Sequence, residues 1–405
     1  MIGRRAPTNQ VELIETADFR EFVDVLSEGF GLNPDMAFQL FQQDPQRDVY
    51  IRLGLWKPTS KGRDLASILT VLPCRMELGG LRIDLAGISG VTTHPDHRRR
   101  GLSRILMDAT LTRMAEAGYV AAGLIPFDYA FYRKHGFEMC AVAYEARIKP
   151  ETLPKYPEAA CAQIWENKHL TGLKAVHAAV GARRAGAVER RGERWNYIIW
   201  NNRRRMVAER GQGIEGYLLY DLVEHGQRLR AREFLYTSEF ARRALIGWLA
   251  RNPERAKEVS MVGSIEAVSK TFPQLVDARH AAPDQAMSAY QAMPNLMLRT
   301  LNARAALEQA VAVRGAPSQT VTIEIKDPLL NHNAGPWALS DQVERVDGRA
   351  QIRMEIGAFS AMLGGGLTPV EAMAKGAIRG DAEAVEAIDR LFPRLPTCLT
   401  LADYF

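Results

Sequence analysis

The sequence predicts two successive α/β segments followed by an α+β segment, and three observations carry that prediction. Residues 11–150 alternate strand-length and helix-length apolar patterns, as a mixed sheet covered by helices requires. Pro150, Pro154 and Pro157 in "KPETLPKYPEAA" then break the chain, after which the same alternation resumes. From near Asn295 the order changes to a helix, three strands and two or three final helices, the composition of an α+β layer. The expected domains are therefore residues 1–150, 151–292 and 293–405.

Within the first segment, Phe19, Phe22, Val23, Leu26 and Phe30 recur at helical spacing. "VYIRLGLW" (49–56) and "ASILTVLPCRMEL" (66–78) read as strands, Gly79-Gly80 as a hairpin turn, and "LRIDLAGISGVTTH" (81–94) as the next strand. A helix follows from Leu102, with Leu102, Ile105, Leu106, Ala109 and Met114 expected to face inward, and "VAAGLIPF" (120–127) is a further strand. The second segment reads as helices over 160–180 and 182–191, strands in "RWNYIIW", "RMVAER" and "EGYLLYDLV", a helix in "SEFARRALIGWLARN" and a strand in "EVSMVG". The third opens with the helix "LRTLNARAALEQAV" and continues with the strands "QTVTIEIKD", "GPWALSD" and "GRAQIRMEIG".

Composition narrows the function. A chain of 405 residues with 24% charged residues and a net charge of +5 is an ordinary globular protein, without the concentrated charge and interleaved aromatics of a nucleic-acid binder. Cys74, Cys140, Cys161 and Cys398 lie far apart with no C-x-x-C pair, which argues against a structural zinc site and a disulfide scaffold; no metal is expected. No stretch approaches the roughly 20 apolar residues of a membrane span, and the first residues lack a signal-peptide core. A cytoplasmic protein without membrane contact is expected.

"HPDHRRRGLSRILMDATL" (94–111) packs three arginines and a glycine at the mouth of a helix, where the backbone dipole is already positive. The backbone N–H groups of residues 99–104 are the orphan donors of a first helical turn and form an anion site. Gly101 allows close approach, and Arg98, Arg99 or Arg100 adds charge-assisted hydrogen bonds. A phosphate, or a pyrophosphate, suits that mouth.

The pattern R-x-x-G-x-S, filled by Arg98, Gly101 and Ser103, resembles the pyrophosphate loop of the GCN5-related N-acetyltransferases (GNAT), usually written Q/R-x-x-G-x-G/A; Ser103 departs at the last position. "FYRKHGFEM" (131–139) sits where that fold places a tyrosine helix. "PFDYAFYRKHGFE", "RWNYIIW", "GYLLYDL", "LRTLNARAALE" and the ending "LADYF" resemble, over nearly the full length, the enhanced intracellular survival (Eis) type. The resemblance implies an acetyl-CoA-binding GNAT domain, a second GNAT-like domain without the loop, and a sterol-carrier-protein-like C-terminal domain. It also implies a homo-oligomer, plausibly a hexamer.

For the site, the resemblance implies acetyl-CoA contacts at Val91, Thr92, Thr93, Arg98, Arg99, Arg100, Gly101, Leu102, Ser103, Arg104, Phe127 and Asp128. An alkyl ammonium, with a pKa of roughly 10, must lose a proton before it attacks a thioester, and the departing sulfur gains one. Tyr132 is the implied proton donor; read from the residue alone, it could equally pack beside Phe131 and Phe137. The backbone at Val91–Thr93 is the expected oxyanion donor, unless that strand end is fully paired. The implied base is the α-carboxylate of Phe405 acting through water, with His94 and His97 as alternatives and His135 expected to face solvent. Phe30, Met36 and Phe38 are candidate walls for the acceptor, a small-molecule amine such as an aminoglycoside-like polyamine, or a lysine or peptide amine. A non-catalytic binder of an apolar ligand, carrying a relic first domain, is the reading from another class.

Overall fold

The computed structural model describes residues 10–14, 18–60, 62–211, 213–251, 254–272 and 290–404. Among these, three sheets organise the chain. The first contains β1 (Gln10–Leu13), β2 (Ile51–Thr59), β3 (Gly62–Leu78), β4 (Leu81–Thr93), β5 (Ala121–Leu124) and β6 (Glu138–Met139). Helix α1 (Phe19–Phe30) and α2 (Pro34–Gln43) lie between β1 and β2, α3 (Leu102–Glu116) crosses from β4 to β5, and α4 (Tyr129–Arg133) precedes β6. β1 to β4 pair antiparallel, and β4 pairs parallel with β5 over the α3 crossover.

The second sheet is built from β7 (Val142–Ile148), β8 (Ala162–Ile164), β10 (Arg204–Arg210), β11 (Gly213–Val223), β12 (Arg228–Tyr236), β13 (Glu258–Gly263) and β14 (Tyr290–Pro294). It repeats the logic of the first: β12 pairs parallel with β13 over the helix Glu239–Arg251. The third sheet has five strands between 321 and 380, with helices Ala303–Arg314, Ile356–Leu363 and Ala382–Asp389 against it.

Sheet membership departs from the linear segments. β7 ends before residue 150 yet belongs to the second sheet, and β15 (Met297–Thr300) lies past 293 yet inserts between β5 and β6 of the first. β9 (Ala185–Val188) also joins the first sheet, against β3. Residues 182–191 were expected to be helical; the buried run Ala185–Val188 instead makes a strand enclosed on both faces, a pattern without periodicity of its own. "RWNYIIW" was expected to be a strand; after helix α5 (Leu170–Gly181) it is part of helix α6 (Gly192–Asn201), where Arg194, Trp195 and Ile198 form a buried face continued by the C-cap Asn202. In α3 the inward face is Leu102, Leu106, Met107, Thr110, Leu111 and Met114, whereas Ile105 is exposed.

Candidate active site

The arginine-rich stretch forms a turn between β4 and α3. Pro95–His97 makes a short 3₁₀ turn, capped by the His94 side chain, which accepts from Asp96 N–H. Arg98 folds back and its Nε donates to the Thr93 carbonyl at 3.2 Å. Arg99 (φ 60°) and Gly101 (φ 72°) take left-handed conformations, and a Cβ at Gly101 would meet nothing within 4 Å. α3 starts with no side-chain cap and no acidic residue in its first turn. The N–H groups of Leu102, Ser103 and Arg104 thus open onto solvent with exposed Arg99 and Arg100 beside them, a mouth suited to a pyrophosphate.

The corresponding crossover in the second sheet is closed. Ser238 Oγ accepts from Ala241 N–H at 3.1 Å, and Glu239 occupies the first turn of that helix. A cap and a carboxylate at the positive end leave no place for an anion.

β4 supplies the next feature. Gly90 has φ 63° and the β3–β4 register shifts there, so that Leu69 faces the pair Gly90–Val91. Pairing of β4 with β5 stops at Gly87, opposite Gly123. From Ile88 onward the two parallel strands part, and a cleft of about 510 Å³ opens where they do. Ile88 to Val91, Ile125, Phe127 and Tyr132 line one side. α1 and α2 bring Leu26, Phe30 and Phe41, β2 and the loop before it bring Asp44, Tyr50 and Arg52, and α6 with the C-terminal stretch brings Arg194, Tyr197 and Tyr404.

Tyr132 stands on α4, whose N-cap Asp128 accepts from the N–H groups of Ala130 (2.8 Å) and Phe131 (3.2 Å). Its ring packs edge-on against Phe127, Phe131 and Phe137. Burial, with Asp128 adding to it, raises the phenol pKa above its ordinary value, so the group keeps its proton. His135 does not face solvent as expected. It is buried, and its Nδ1 lies 2.7 Å from Asp108 Oδ1, which ties the end of α4 to α3. The polar Asp108 on α3 gives this imidazole a partner that the local sequence does not reveal.

The predicted residues divide as follows. Val91, Phe127, Tyr132 and Phe30 line the cleft. Arg98, Arg99, Arg100, Gly101, Leu102, Ser103 and Arg104 form the helix mouth at the end of β4, and Asp128 acts as the α4 cap. Thr92 and Thr93 are held by Ser67, whose Oγ donates to the Thr92 carbonyl at 2.9 Å and lies 2.9 Å from Thr93 Oγ1. Met36 and Phe38 do not line the cleft: Met36 is exposed on α2, and Phe38 packs on Phe19 and under Arg20. Helix α2 turns Phe41 inward instead. His94 and His97 also lie outside the cleft; His94 Nε2 is 3.6 Å from Glu28 and His97 Nε2 is 3.8 Å from Asp64. Phe405 lies outside the described residues. Sequence reasoning missed Asp44, Tyr50, Arg52, Arg194, Tyr197 and Tyr404, which come from three separate stretches, 44–52, 194–197 and 404. Among the described residues, no helix is long and apolar enough to cross a membrane.

Residues 10–140 match the family "Acetyltransferase (GNAT) domain", residues 186–304 match a second family of that description, and residues 303–399 match "Sterol carrier protein domain". An uncharacterized N-acetyltransferase of Streptomyces griseus is 32% identical over 141 residues, which is 33% of this chain and 32% of that protein. The chain thus matches about a third of the length of its curated relatives. A GCN5-related N-acetyltransferase from Anabaena variabilis superposes with a TM-score of 0.82 at 17% identity, over 98% of this chain and all of that one. Eis1 from Mycobacterium abscessus does so with a TM-score of 0.72 at 20% identity and the same coverage. The chain thus carries two segments that match acetyltransferase (GNAT) domains, followed by one that matches a sterol carrier protein domain, in a three-part fold that it shares with Eis1.

Proposed function

We propose that the protein transfers an acetyl group from acetyl-CoA to a primary amine in the cleft. The observation that carries this is continuity: β4 leads from the cleft, through its parting from β5, to the open mouth of α3. The C-terminal part of that single strand therefore supports a thioester at Gly90–Val91 and leads directly to a pyrophosphate beyond Thr93. Acetyl-CoA supplies the activated acetyl group when bound. The mouth at 99–104 holds the phosphates, and the backbone at Gly90–Val91, freed from the β5 ladder, donates to the carbonyl oxygen as charge grows on it. Tyr132 gives its proton to the departing sulfur.

The amine approaches from the side of Phe30, Phe41, Tyr50, Tyr197 and Tyr404, aromatic faces that accommodate an ammonium before it is deprotonated. The proton acceptor in this reading is the α-carboxylate of Phe405 through a water; the place of its neighbour Tyr404 in the cleft wall supports it. Asp44, the one carboxylate among the described cleft residues, accepts from Gln46 N–H (2.7 Å) and the Tyr50 hydroxyl (3.0 Å), and it faces Arg52 and Arg194 across the same space. The acceptor is a small-molecule amine, with an aminoglycoside-like polyamine proposed first and a lysine side chain as the alternative. Incubation with acetyl-CoA and either tobramycin or a lysine peptide, read as free thiol released, tests this. Thiol release with neither, despite tight acetyl-CoA binding, would leave the apolar-ligand reading in its place.

A further inference from the structure

A dense cluster of buried charge lies behind the cleft and takes no part in the chemistry above. Arg190, just after β9, donates from Nη1 and Nη2 to Glu233 of β12 at 2.9 and 2.6 Å. The same guanidinium donates from Nε and Nη2 to Asp403 at 3.0 and 2.7 Å. Arg194 adds Nη2 to Asp403 Oδ1 at 3.1 Å, and His177 Nε2 lies 3.6 Å from Asp403 Oδ2. The Tyr217 hydroxyl donates to Glu233 at 2.7 Å, and Thr400 Oγ1 also donates to Glu233 at 2.9 Å. The side chains of Arg190, Glu233 and Asp403 are at most 1% exposed.

His177, Glu233 and Asp403 hold their ligand atoms within 4.8 Å of one another, as a metal site would. Both carboxylates are already engaged by guanidinium groups, however, and a dication placed among them would face Arg190 and Arg194. Two carboxylates balance two guanidiniums, so the cluster is complete as a set of charges. Burial alone would raise the pKa of Asp403; Arg190, the His177 contact and Arg194 outweigh it and hold the carboxylate well below its usual range.

What the cluster grips is the end of the chain. The stretch 396–404 leaves the third unit and runs beside β9: Ala185 N–H donates to the Pro396 carbonyl (3.0 Å) and Cys398 N–H to the Ala185 carbonyl (2.6 Å). Arg232 Nη2 holds the Leu401 carbonyl at 3.1 Å, and Ala402 is buried with Leu173, Trp195, Ile198 and Tyr217 in the second unit. One residue beyond Asp403, Tyr404 enters the cleft wall, its hydroxyl receiving Asn295 Nδ2 at 3.0 Å. Arg194 faces both ways, bonded to Asp403 and lining the cleft.

We propose that the Arg190–Glu233–Asp403 cluster is a positioning device for the acceptor side of the active site. It fastens the stretch 396–404 across the second GNAT-like domain so that Tyr404 is held against the cleft. The domain without a phosphate loop thereby acts in the reaction by anchorage. This inference rests on the acetyl-transfer reading above, and its test separates the two.

Two variants decide it. Asp403→Asn removes one charge at the tail and leaves Arg190 and Glu233 paired. Thr400→Val removes only the hydroxyl bond to Glu233 and keeps all four charges, so it answers the question even where Asp403→Asn does not fold. For each, acetyl-CoA affinity, kcat and KM for the amine, and amide hydrogen exchange over 397–404 are measured against the unaltered protein. Unchanged acetyl-CoA affinity, faster exchange confined to the tail and a kcat/KM for the amine lower by about 10²-fold in Asp403→Asn are expected, the size of loss that ångström-scale misplacement produces; Thr400→Val moves both readouts in the same direction by less. Faster tail exchange with undiminished kcat/KM would overturn the positioning role, and unchanged exchange in both variants would overturn the anchorage. An unaltered protein that acetylates no amine would refute the acetyl-transfer reading instead, while the exchange comparison would still decide whether the cluster holds the tail.

Discussion

Removing a single oxygen from Tyr132 isolates the proposed proton donor from its structural role. The ring is wedged between Phe127, Phe131 and Phe137, with centroids 5.3, 5.0 and 5.9 Å away, and phenylalanine fills the same volume. The hydroxyl has no hydrogen-bond partner among the described residues, so Tyr132→Phe leaves no buried group unpaired and the melting temperature stays as it was. Acetyl-CoA affinity also stays, because the pyrophosphate mouth is on α3. Turnover falls by about 10²–10⁴-fold, the usual contribution of one general acid, equivalent to about 2.7–5.4 kcal/mol of barrier. Steady-state release of free thiol measures this. The defect shrinks with an acyl donor whose thiol is more acidic than an ordinary thiol of pKa near 8.5, since that sulfur departs without a proton. The raised phenol pKa places loss of the donor at a pH above its ordinary value of about 10, so the unaltered enzyme shows no alkaline decline below that pH. A variant with full turnover, or one equally slow with every leaving group, would refute the assignment.

Gly101→Glu places a strained left-handed residue and a carboxylate in the open space before α3; calorimetry should show acetyl-CoA binding lost, and retained affinity would sink the phosphate site. Adding Gly-Ser after Phe405 should leave acetyl-CoA binding intact and collapse turnover, and an extended enzyme as active as the original would move the base to Asp44. A homo-oligomer, plausibly a hexamer, is proposed, so light scattering at micromolar concentration should give a multiple of 45.1 kDa; the mass of one chain would refute it. Asp403 has a folded pKa below its unfolded value, so its contribution to stability is full above about pH 4 and is lost as the pH falls below that. Denaturation curves between pH 2 and 5 should therefore be flatter for Asp403→Asn than for the unaltered protein, and parallel curves would contradict the depressed pKa.

The open helix mouth was legible in the sequence because it is local: three arginines, one glycine and a helix start within the five residues 98–102 specify it. The place of Tyr132 in the cleft wall was legible only through resemblance, since an aromatic beside Phe131 and Phe137 reads first as packing. The acceptor side was not legible. Met36 was named and Phe41 was not, because one residue of rotation on a short amphipathic helix decides which side chain faces the cleft. Arg194 and Tyr197 were hidden by reading α6 as a strand, where aromatic and β-branched content outweighed the spacing of Trp195 and Ile198. His135 was misplaced for a related reason: its partner Asp108 is on another element, and no local pattern announces a contact made by tertiary packing.

The two tandem domains share a crossover but differ at its helix start, and that difference explains how one cleft draws on the whole chain. The first helix start is uncapped, free of carboxylates and flanked by arginines, whereas the second is closed by Ser238 and Glu239. Both parallel pairs part, β4 from β5 past Gly87 and β12 from β13 past Ala231, but only the first leads to a helix start open to an anion. Its open edge is then completed from elsewhere. β15 fills the first sheet beyond β5, and there the buried Arg299 donates from Nε to the His135 carbonyl at 2.9 Å and from Nη2 to Asp327 at 2.6 Å. That guanidinium locks the loop after the Tyr132 helix to the third unit. The second unit contributes Arg194 and Tyr197 from α6 and the grip on Asp403 that delivers Tyr404. Tyr132 is thus fixed through the third unit and Tyr404 through the second, while the mouth of α3 takes no side chain from the second unit and shares its core with Leu301 and Leu330. Loosening the grip on Asp403 in the second unit should accordingly lower acetyl transfer and leave acetyl-CoA binding in place, because the Tyr404 side of the cleft and the mouth of α3 are held by different contacts.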